Sequence, residues 1–586
     1  MRKITRKLFV GFLLFLVALI GATFFLSIHF AGRYSRLSEE AVLKLKASIG
    51  PDQKKKILDS VTPLLGLPPK LSKPRVVVLG IDGLDHQYLD PLLREGKLPN
   101  FKRLTEEGAK GILLSIAPPS SAGAWPAMVT GCGPGKSHLL NFRMYEASSR
   151  KIVLTDGRDL RRPALWDILG LYGKKSVVIN EPMSYPPHQI RRVMISGLLA
   201  PEGRTYTYPA ALSPLLDEIG YKREAVPKGE GFFAPPSTLL SDLLLTEQKR
   251  LEVALLLMDE TDWDFFFCMF PGVDRMMHHL GASFSSRDLE KMLLEMDDVL
   301  GDFLKHLPKG STLLVVSDHG FTFYPKQFSV PAWLEQEGYW VLPQAKKRKD
   351  TPFWRMMRLL KRVEGRMNIQ DIPGIRWPHP LQNDEVTPPV DWDRTSAISV
   401  EAGGNWGSIR LLKNKEILEE EMSEKLLRLT DPKTGQHLVR RVEKGKDFFE
   451  GPYQDDMPDL LFELSKARAD FAFSDTVLRE EATYHHRREG ILFGWGKEIQ
   501  KGIQLPPSQI VDVTPTLLVL LGVPVSEELD GKIIEALFER SSFLSEGSHR
   551  ISRYPTAAIE WVGVAAPRGE SSQDVKADLR SLGYLQ

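Results

Sequence analysis

The chain of 586 residues carries 77 Lys and Arg against 75 Asp and Glu, a net charge of +2. This near balance excludes the strong basic excess of a dedicated nucleic-acid binder, so no nucleic-acid polymer is expected as a partner. Its two cysteines, Cys132 and Cys268, offer neither a disulfide framework nor a cysteine-built zinc site.

The first element is apolar. "MRKITRK" places Arg2, Lys3, Arg6 and Lys7 before "LFVGFLLFLVALIGATFFL", an uncharged run from Leu8 to Leu26. A signal-peptide apolar region spans ~7–15 residues, whereas a bilayer crossing needs ~20. The following "SIHFAGRYS" offers no small-x-small cleavage site. These features predict an N-terminal transmembrane helix within residues 1–33, its basic flank in the cytoplasm and the rest of the chain periplasmic or extracellular. A cleaved signal is the first alternative and a buried core helix the second. Residues 34–74 read as a polar, helical spacer ending in the proline-rich "GLPPKLSKP".

From Arg75 the pattern changes. "RVVVLGID" (Arg75–Asp82), "KKSVVIN" (Lys174–Asn180), "DFFFCMF" (Asp264–Phe270) and "STLLVVSD" (Ser311–Asp318) are short, near-continuous apolar runs. Such runs suit strands buried on both faces of a parallel sheet. Amphipathic helices lie between them. In "SSRDLEKMLLEMDDVLGDFLKHL", Leu289, Leu293, Met296, Leu300, Phe303 and Leu307 share one face. Ser285 and Asp288 form a capping box at its start, and Pro308 to Gly310 stop it. The alternation predicts α/β architecture, with 75–342 as the first part of a catalytic core.

Residues 343–385 form a basic insertion rich in Trp and Pro. Its "FWRMMRLLKRVEGRM" sets Phe353, Met356, Leu360, Val363 and Met367 on one helical face, with Arg355, Arg358, Arg362 and Arg366 largely off it. It reads as a lid helix with a solvated basic side, or as a helix lying on lipid beside the anchor. Residues 386–480 read as a smaller mixed subdomain. "EGILFGWG" and "IVDVTPTLLVLLGVPV" return to the core over 481–545, and 546–586 form a tail with Val575, Leu579 and Leu582 on one face of a short helix.

One stretch, "GCGPGKS" from Gly131 to Ser137, imitates a phosphate-binding loop. The P-loop pattern needs a glycine at position 130, a buried strand before it and a long helix after it. Position 130 is Thr, "PPSSAGAWPAMVTG" precedes and "HLLNFRMY" follows, so the nucleotide-cradle reading fails.

Three carboxylates stand at or just beyond strand ends: Asp82, Asp274 and Asp318. Ligands of open α/β sheets bind beyond the carboxyl ends of the strands, so these side chains are expected at one edge. A lone Asp after a strand is ordinarily a turn or cap residue, but these three are closely followed by His or Gly. His278 lies four residues after Asp274, on the same helical face. His319 follows Asp318, and "HHRREG" adds His485 and His486. Mixed nitrogen and oxygen donors in this number suit two zinc ions, or manganese. Two adjacent cations favour displacement at phosphorus and activate a nearby serine hydroxyl. Ser120 and Ser121 precede the glycine-rich stretch, which then reads as the turn after a nucleophile segment.

Taken together and in order, "VVVLGIDGLD", "SSAGAWPAMVTGCGPGK", "VVINEPMSYPP", "FPGVDRMMHH", "VVSDHGF", "HHRREGILFGWG" and "VDVTPTLLVLLGVP" resemble the alkaline phosphatase superfamily in its type I phosphodiesterase/nucleotide pyrophosphatase branch, from about Arg75 to Leu537. The resemblance implies an alkaline-phosphatase-like fold, with a mostly parallel central sheet flanked by helices and an inserted smaller subdomain. It further implies that Asp82, Asp318 and His319 hold one metal, with the nucleophile bridging, and that Asp274, His278 and His486 hold the other. The family's last histidine precedes a glycine by four residues, which selects His486 over His485 against Gly490. Its nucleophile precedes the threonine of a Thr-Gly pair by nine, which selects Ser121 against Thr130.

The sequence departs from the family at several points. Ser121 stands where threonine is common, and Gly123 where a proline is. Ser137-His138 replaces His-Gly, and a phosphoryl-binding asparagine aligns with Phe142, one place from Asn141. The sulfatase branch needs a proline and an arginine after its nucleophile, and "SSAGAW" has neither in place. The reading is a membrane-anchored hydrolase of phosphoric esters, diester or pyrophosphate foremost, acting through a phosphoseryl intermediate on Ser121. A phosphoryl-group transferase acting on a lipid or glycan alcohol, and a metal-binding pseudoenzyme, are the alternatives.

Overall fold

The computed structural model describes residues 49–61, 75–224, 236–280, 284–343, 390–400, 402–539, 550–555 and positions 575, 576 and 579. The expected transmembrane helix, the basic insertion and most of the tail lie outside them. No described helix is long and apolar enough to cross a membrane.

In chain order the elements that build the core are β1 (Val76–Ile81), β2 (Ala109–Leu114), α1 (Ser121–Thr130), β3 (Ser176–Ile179), β4 (Arg192–Ile195), α2 (Pro236–Glu260), β5 (Phe265–Phe270), α3 (Gly272–Met277), α4 (Ser286–His306), β6 (Thr312–Val316), β7 (Gly320–Tyr324), β8 (Thr483–Arg487), β9 (Glu489–Trp495) and α5 (Val513–Leu520). The architecture is α/β with a mixed sheet of ten strands. At its centre β1 pairs in parallel with both β5 and β6, with Val78 opposite Phe267 and Leu314. β3 and β4 extend this parallel half. All six residues of β1 and of β5 are buried, as their unbroken apolar runs require of central strands.

On the other side one strand is reversed, while β2 beyond it pairs in parallel with the short strands Ile503–Gln504 and Ser508–Gln509. β9 runs between β6 and β2, opposed to both. Its apolar run in "EGILFGWG" signals burial but carries no direction. The reversal comes from the chain, which returns through β8 before entering the sheet.

One helix matches the sequence reading closely, and a second, not read as a helix, explains the glycine-rich stretch. α4 opens on Ser285 with a reciprocal capping box to Asp288, and buries Leu289, Leu293, Met296, Leu300 and Phe303. α1 closes on Gly131 in the left-handed conformation, φ 66°. "GCGPGKS" is therefore a helix end followed by the one-turn helix Pro134–Ser137, and Lys136 forms an ion pair with Asp530.

A second unit has its own core. A five-stranded sheet that includes Trp406–Leu411, Val439–Lys444 and Leu460–Leu464 packs with the helix Lys415–Leu427. Ile409, Met422 and Phe462 fill it, together with Phe328, Trp333 and Trp340 from earlier in the chain. Within the expected spacer, Pro51–Val61 forms a helix that buries Ile57 and Val61 in the main core. Val575 and Leu579 of the tail join that core as well.

Candidate metal centre

The carboxyl ends of β1, β5 and β6 lie side by side, and each delivers an acid. Asp82 follows β1 directly, Asp318 follows β6 by one residue, and Asp274 sits in the first turn of α3 after β5. All three are fully buried. His319 follows Asp318, and His278 closes α3 one turn after Asp274. The last histidine arrives by strand pairing, since β7 and β8 run antiparallel with Phe321 opposite His486. That register stacks the His486 ring on His319, with centroids 3.7 Å apart. Phe321 is wedged edge-on beneath His278, His319 and His486, at centroid distances of 5.1, 5.7 and 4.9 Å.

The donor atoms converge in two groups. His486 Nε2 lies 2.9 Å from His278 Nε2 and 3.3 Å from Asp274 Oδ1, and His278 Nε2 lies 3.4 Å from that same oxygen. An ion held at about 2.0–2.1 Å in a tetrahedron spaces its donors about 3.3–3.4 Å apart, so this triangle fits one face of such a site. In the second group His319 Nε2 is 3.2 Å from Asp318 Oδ2 and 3.8 Å from Asp82 Oδ1. Asp274 Oδ1 stands 4.0 Å from His319 Nε2 and so lies between the groups. Asp274, His278 and His486 form one set that could hold a metal ion, and Asp82, Asp274 and His319 form another.

Charge states agree with this chemistry. Burial, then the charges of Asp318 and Asp274, hold the Asp82 carboxyl well above the usual range. Burial and the Asp274 charge push Asp318 up to about 6. Asp274 goes the other way. Burial raises it, but His278, His486 and Arg275 together hold it well below the usual range. Burial lowers His278 to about 4 and drives His319 far down, so both rings are neutral. Burial and mutual repulsion thus make Asp82 and Asp318 hold their protons more tightly than ordinary carboxyls, so a divalent cation would displace those protons, while the neutral imidazoles already offer lone pairs.

The candidate nucleophile lies at the same place. Ser121 opens α1, and its Oγ is 3.3 Å from Asp82 Oδ1 and 3.2 Å from His319 Nε2. Trp125, one turn on, donates from Nε1 to Asp82 Oδ2 at 3.2 Å. Ser120 faces elsewhere, and its hydroxyl donates to Asn141 Oδ1 at 2.6 Å. All seven residues singled out from the sequence, Asp82, Ser121, Asp274, His278, Asp318, His319 and His486, are thus brought together. His485 lies behind them, its Nδ1 accepting from the backbone N–H groups of His486 (2.9 Å) and Gly404 (3.3 Å).

Three further features were not read from the sequence. Asn141 reaches the nucleophile segment, while its neighbour Phe142 is buried in the core. The sequence pattern aligns the family's asparagine with Phe142 and assigns no role to Asn141. Gly123 replaces the family's proline because a Cβ there would meet the Leu140 carbonyl oxygen at 2.1 Å. Arg275 is buried against Asp274 Oδ2, and nothing in its sequence position distinguishes it from a solvated arginine.

The family model described as type I phosphodiesterase/nucleotide pyrophosphatase matches residues 76–480. No curated protein matches the chain. Among solved structures, human ectonucleotide pyrophosphatase/phosphodiesterase 5 is similar, at 13% identity and a TM-score of 0.48, covering 80% of this chain and 100% of that one. The murine protein of that name, in an inactive form in complex with AMP, is 12% identical with a TM-score of 0.45, covering 77% of this chain and 96% of that one. Phosphonoacetate hydrolase from Sinorhizobium meliloti 1021, in complex with phosphonoformate, is 15% identical with a TM-score of 0.48, covering 76% and 95%.

Proposed function

The chain belongs to the type I phosphodiesterase/nucleotide pyrophosphatase family, and from that premise we propose that it hydrolyses phosphoric esters, phosphodiesters or pyrophosphates foremost, with Ser121 as nucleophile at a two-metal centre. The observation that carries the reading is the position of Ser121 Oγ, 3.2–3.3 Å from both Asp82 and His319 at the convergence of three buried carboxylates.

Asp82, Asp318 and His319, with Ser121, would hold one ion, and Asp274, His278 and His486 the other. Zinc suits the mixed nitrogen and oxygen donors best, and manganese is the alternative. When bound, such a pair favours loss of the serine proton and stabilises charge on the attacking and leaving oxygens.

The chain's own residues then act as follows. The start of α1 turns its positive end toward Ser121, which favours a developing oxyanion there. Trp125 fixes Asp82 through its Nε1–H, and Asp82 in turn lies 3.3 Å from the serine hydroxyl. Ser121 Oγ gives up its proton to water and attacks phosphorus, while the leaving oxygen departs with its bonding electrons. Water then attacks the phosphoseryl group, releases the acid product and returns the hydroxyl. Asn141 Oδ1 accepts from the Ser120 hydroxyl and from the Phe142 amide, which ties down the residue before the nucleophile.

The same proposal keeps Leu8–Leu26 as an uncleaved anchor, with the catalytic unit outside the cytoplasm. N-terminal sequencing of membrane-extracted protein tests that part, and a mature chain starting near residue 30 would overturn it. Activity is tested with zinc- or manganese-loaded protein against a phosphodiester, a phosphomonoester and a dinucleotide pyrophosphate, with and without an added alcohol. Hydrolysis that disappears in Ser121→Ala supports the proposal. Transfer to the alcohol in preference to water makes the protein a transferase. A loaded protein inert toward every ester makes it a metal-binding pseudoenzyme.

A further inference from the structure

The helix that carries Asp274 and His278 is enclosed by a closed ring of buried polar contacts. Glu247 and Arg250, both buried on α2, form an ion pair. Glu247 Oε1 accepts from the Gly272 amide at 2.5 Å, at the start of α3. Arg250 donates to the Arg223 carbonyl at 2.7 Å, which places the adjoining Glu224. Glu224 Oε2 accepts from Arg275 Nε at 3.1 Å. Arg275 closes the ring on Asp274 Oδ2. The path runs from the amide of Gly272 out through α2 and back to the carboxylate two residues later.

This ring does not touch the oxygen that matters most. Arg275 occupies Oδ2 of Asp274, while Oδ1 is the atom that faces His278 and His486. An Asp with one oxygen bound by a guanidinium cannot turn to offer both oxygens to an ion. Arg275 is in turn held by Glu224, so it does not follow Asp274 if the carboxylate rotates. The geometry points to Arg275 as a positioning residue that keeps Asp274 a one-oxygen donor, so that affinity at this metal site depends on Arg275 and Glu224, neither of which is among the converging donors. The inference rests on the metal-centre reading proposed above.

Two physical effects oppose each other when Arg275 is removed. Loss of a neighbouring positive charge strengthens cation binding, whereas loss of orientation weakens it. Partners behind metal ligands commonly set affinity by about 10–100-fold, and positioning predicts that this effect wins. Lysine supplies the charge but not the fork that spans Asp274 and Glu224, so it restores only part of the effect.

The test is calorimetric titration of zinc alone into metal-stripped wild type, Arg275→Met, Arg275→Lys and Asp274→Ala. Arg275→Met is expected to weaken the site of Asp274, His278 and His486 by about 10–100-fold and the other, which Asp274 Oδ1 approaches only at 4.0 Å, much less, with Arg275→Lys in between. Wild-type or tighter binding in Arg275→Met, or equal loss at both sites, overturns the inference. Asp274→Ala separates the two levels of the argument. If it still binds two equivalents at wild-type affinity, the metal-centre reading itself fails. If Arg275→Met does not fold, Glu224→Gln serves instead, because it removes the charge that steadies Arg275 and keeps an acceptor oxygen. A few-fold loss at the same single site supports the inference, and unchanged affinity overturns it.

Discussion

His486 presents its Nε2 to His278 Nε2 at 2.9 Å while its Nδ1 lies 3.2 Å from the Pro119 carbonyl oxygen. A carbonyl can only accept, so Nδ1 carries the proton and Nε2 offers a lone pair. His485 has the reverse arrangement, with Nδ1 accepting from two backbone amides.

The two neighbouring histidines should therefore behave differently. His486→Ala is expected to lose about one equivalent of bound metal and to regain some activity at high zinc or manganese, because an under-coordinated ion dissociates. His485→Ala should keep both equivalents with a milder loss of affinity. Metal analysis of the purified variants decides between them. Equal losses, or a loss confined to His485→Ala, would remove His486 from the donor set.

Ser120 and Ser121 separate in the same way. Ser121→Ala should lower turnover by several orders of magnitude while keeping most of the bound metal, since it removes the attacking atom. Ser120→Ala removes a hydrogen bond to Asn141 and should cost far less, through a looser amide. Steady-state rates on one activated diester suffice. Near-wild-type activity in Ser121→Ala would end its role as nucleophile.

Much of this centre was legible before any fold was known, for a local reason. β1, β5 and β6 announce themselves as unbroken apolar runs, and a parallel sheet puts whatever follows such runs at one edge. Asp82, Asp274 and Asp318 are placed by that rule alone, and His278 by the helical repeat. Pairwise and long-range features were not legible. The Arg275 side chain finds Glu224 across 51 residues, and "DRMMHH" gives no hint of it. Gly123 is dictated by the carbonyl of Leu140, which arrives from the next turn of chain. The reversed strand β9 hides for a similar reason, since an apolar run fixes burial and leaves direction open.

Protons and metal should compete at this centre. Asp318, pushed up to about 6 by burial and by Asp274, must lose its proton to bind an ion. Metal affinity is thus expected to fall as pH drops through 6. Metal-free protein should follow the opposite sign. The native carboxyl holds a proton between its ordinary value of 3.8 and about 6, where the unfolded chain has lost it. Stability without metal therefore declines as pH rises through that window and stays low above it. Thermal melts from pH 5 to 8, with and without a chelator, should show the stabilisation by metal growing with pH. A metal contribution that is constant across that range would exclude a proton-linked site.

A second buried acid gives a cleaner test, because it lies outside the donor set. Glu181, just beyond β3, is completely buried, and burial pushes it up to about 8, opposed only by a hydrogen bond from the Met183 backbone. Its ordinary value is 4.5. Between these two values the native state holds a proton that the unfolded chain releases. Wild-type stability should then fall with rising pH across the window, by at most about 1.4 kcal/mol per pH unit from this one group. Glu181→Gln keeps an oxygen for the Met183 amide and cannot ionise, so it lacks this slope. The difference between variant and wild type removes every other titrating group, Asp82 and Asp318 included. Denaturant unfolding at pH 5, 6, 7 and 8 should show Glu181→Gln gaining on wild type at each step. Parallel curves would mean that Glu181 has the same protonation in the native and unfolded states over this range, and that its carboxylate has a native partner.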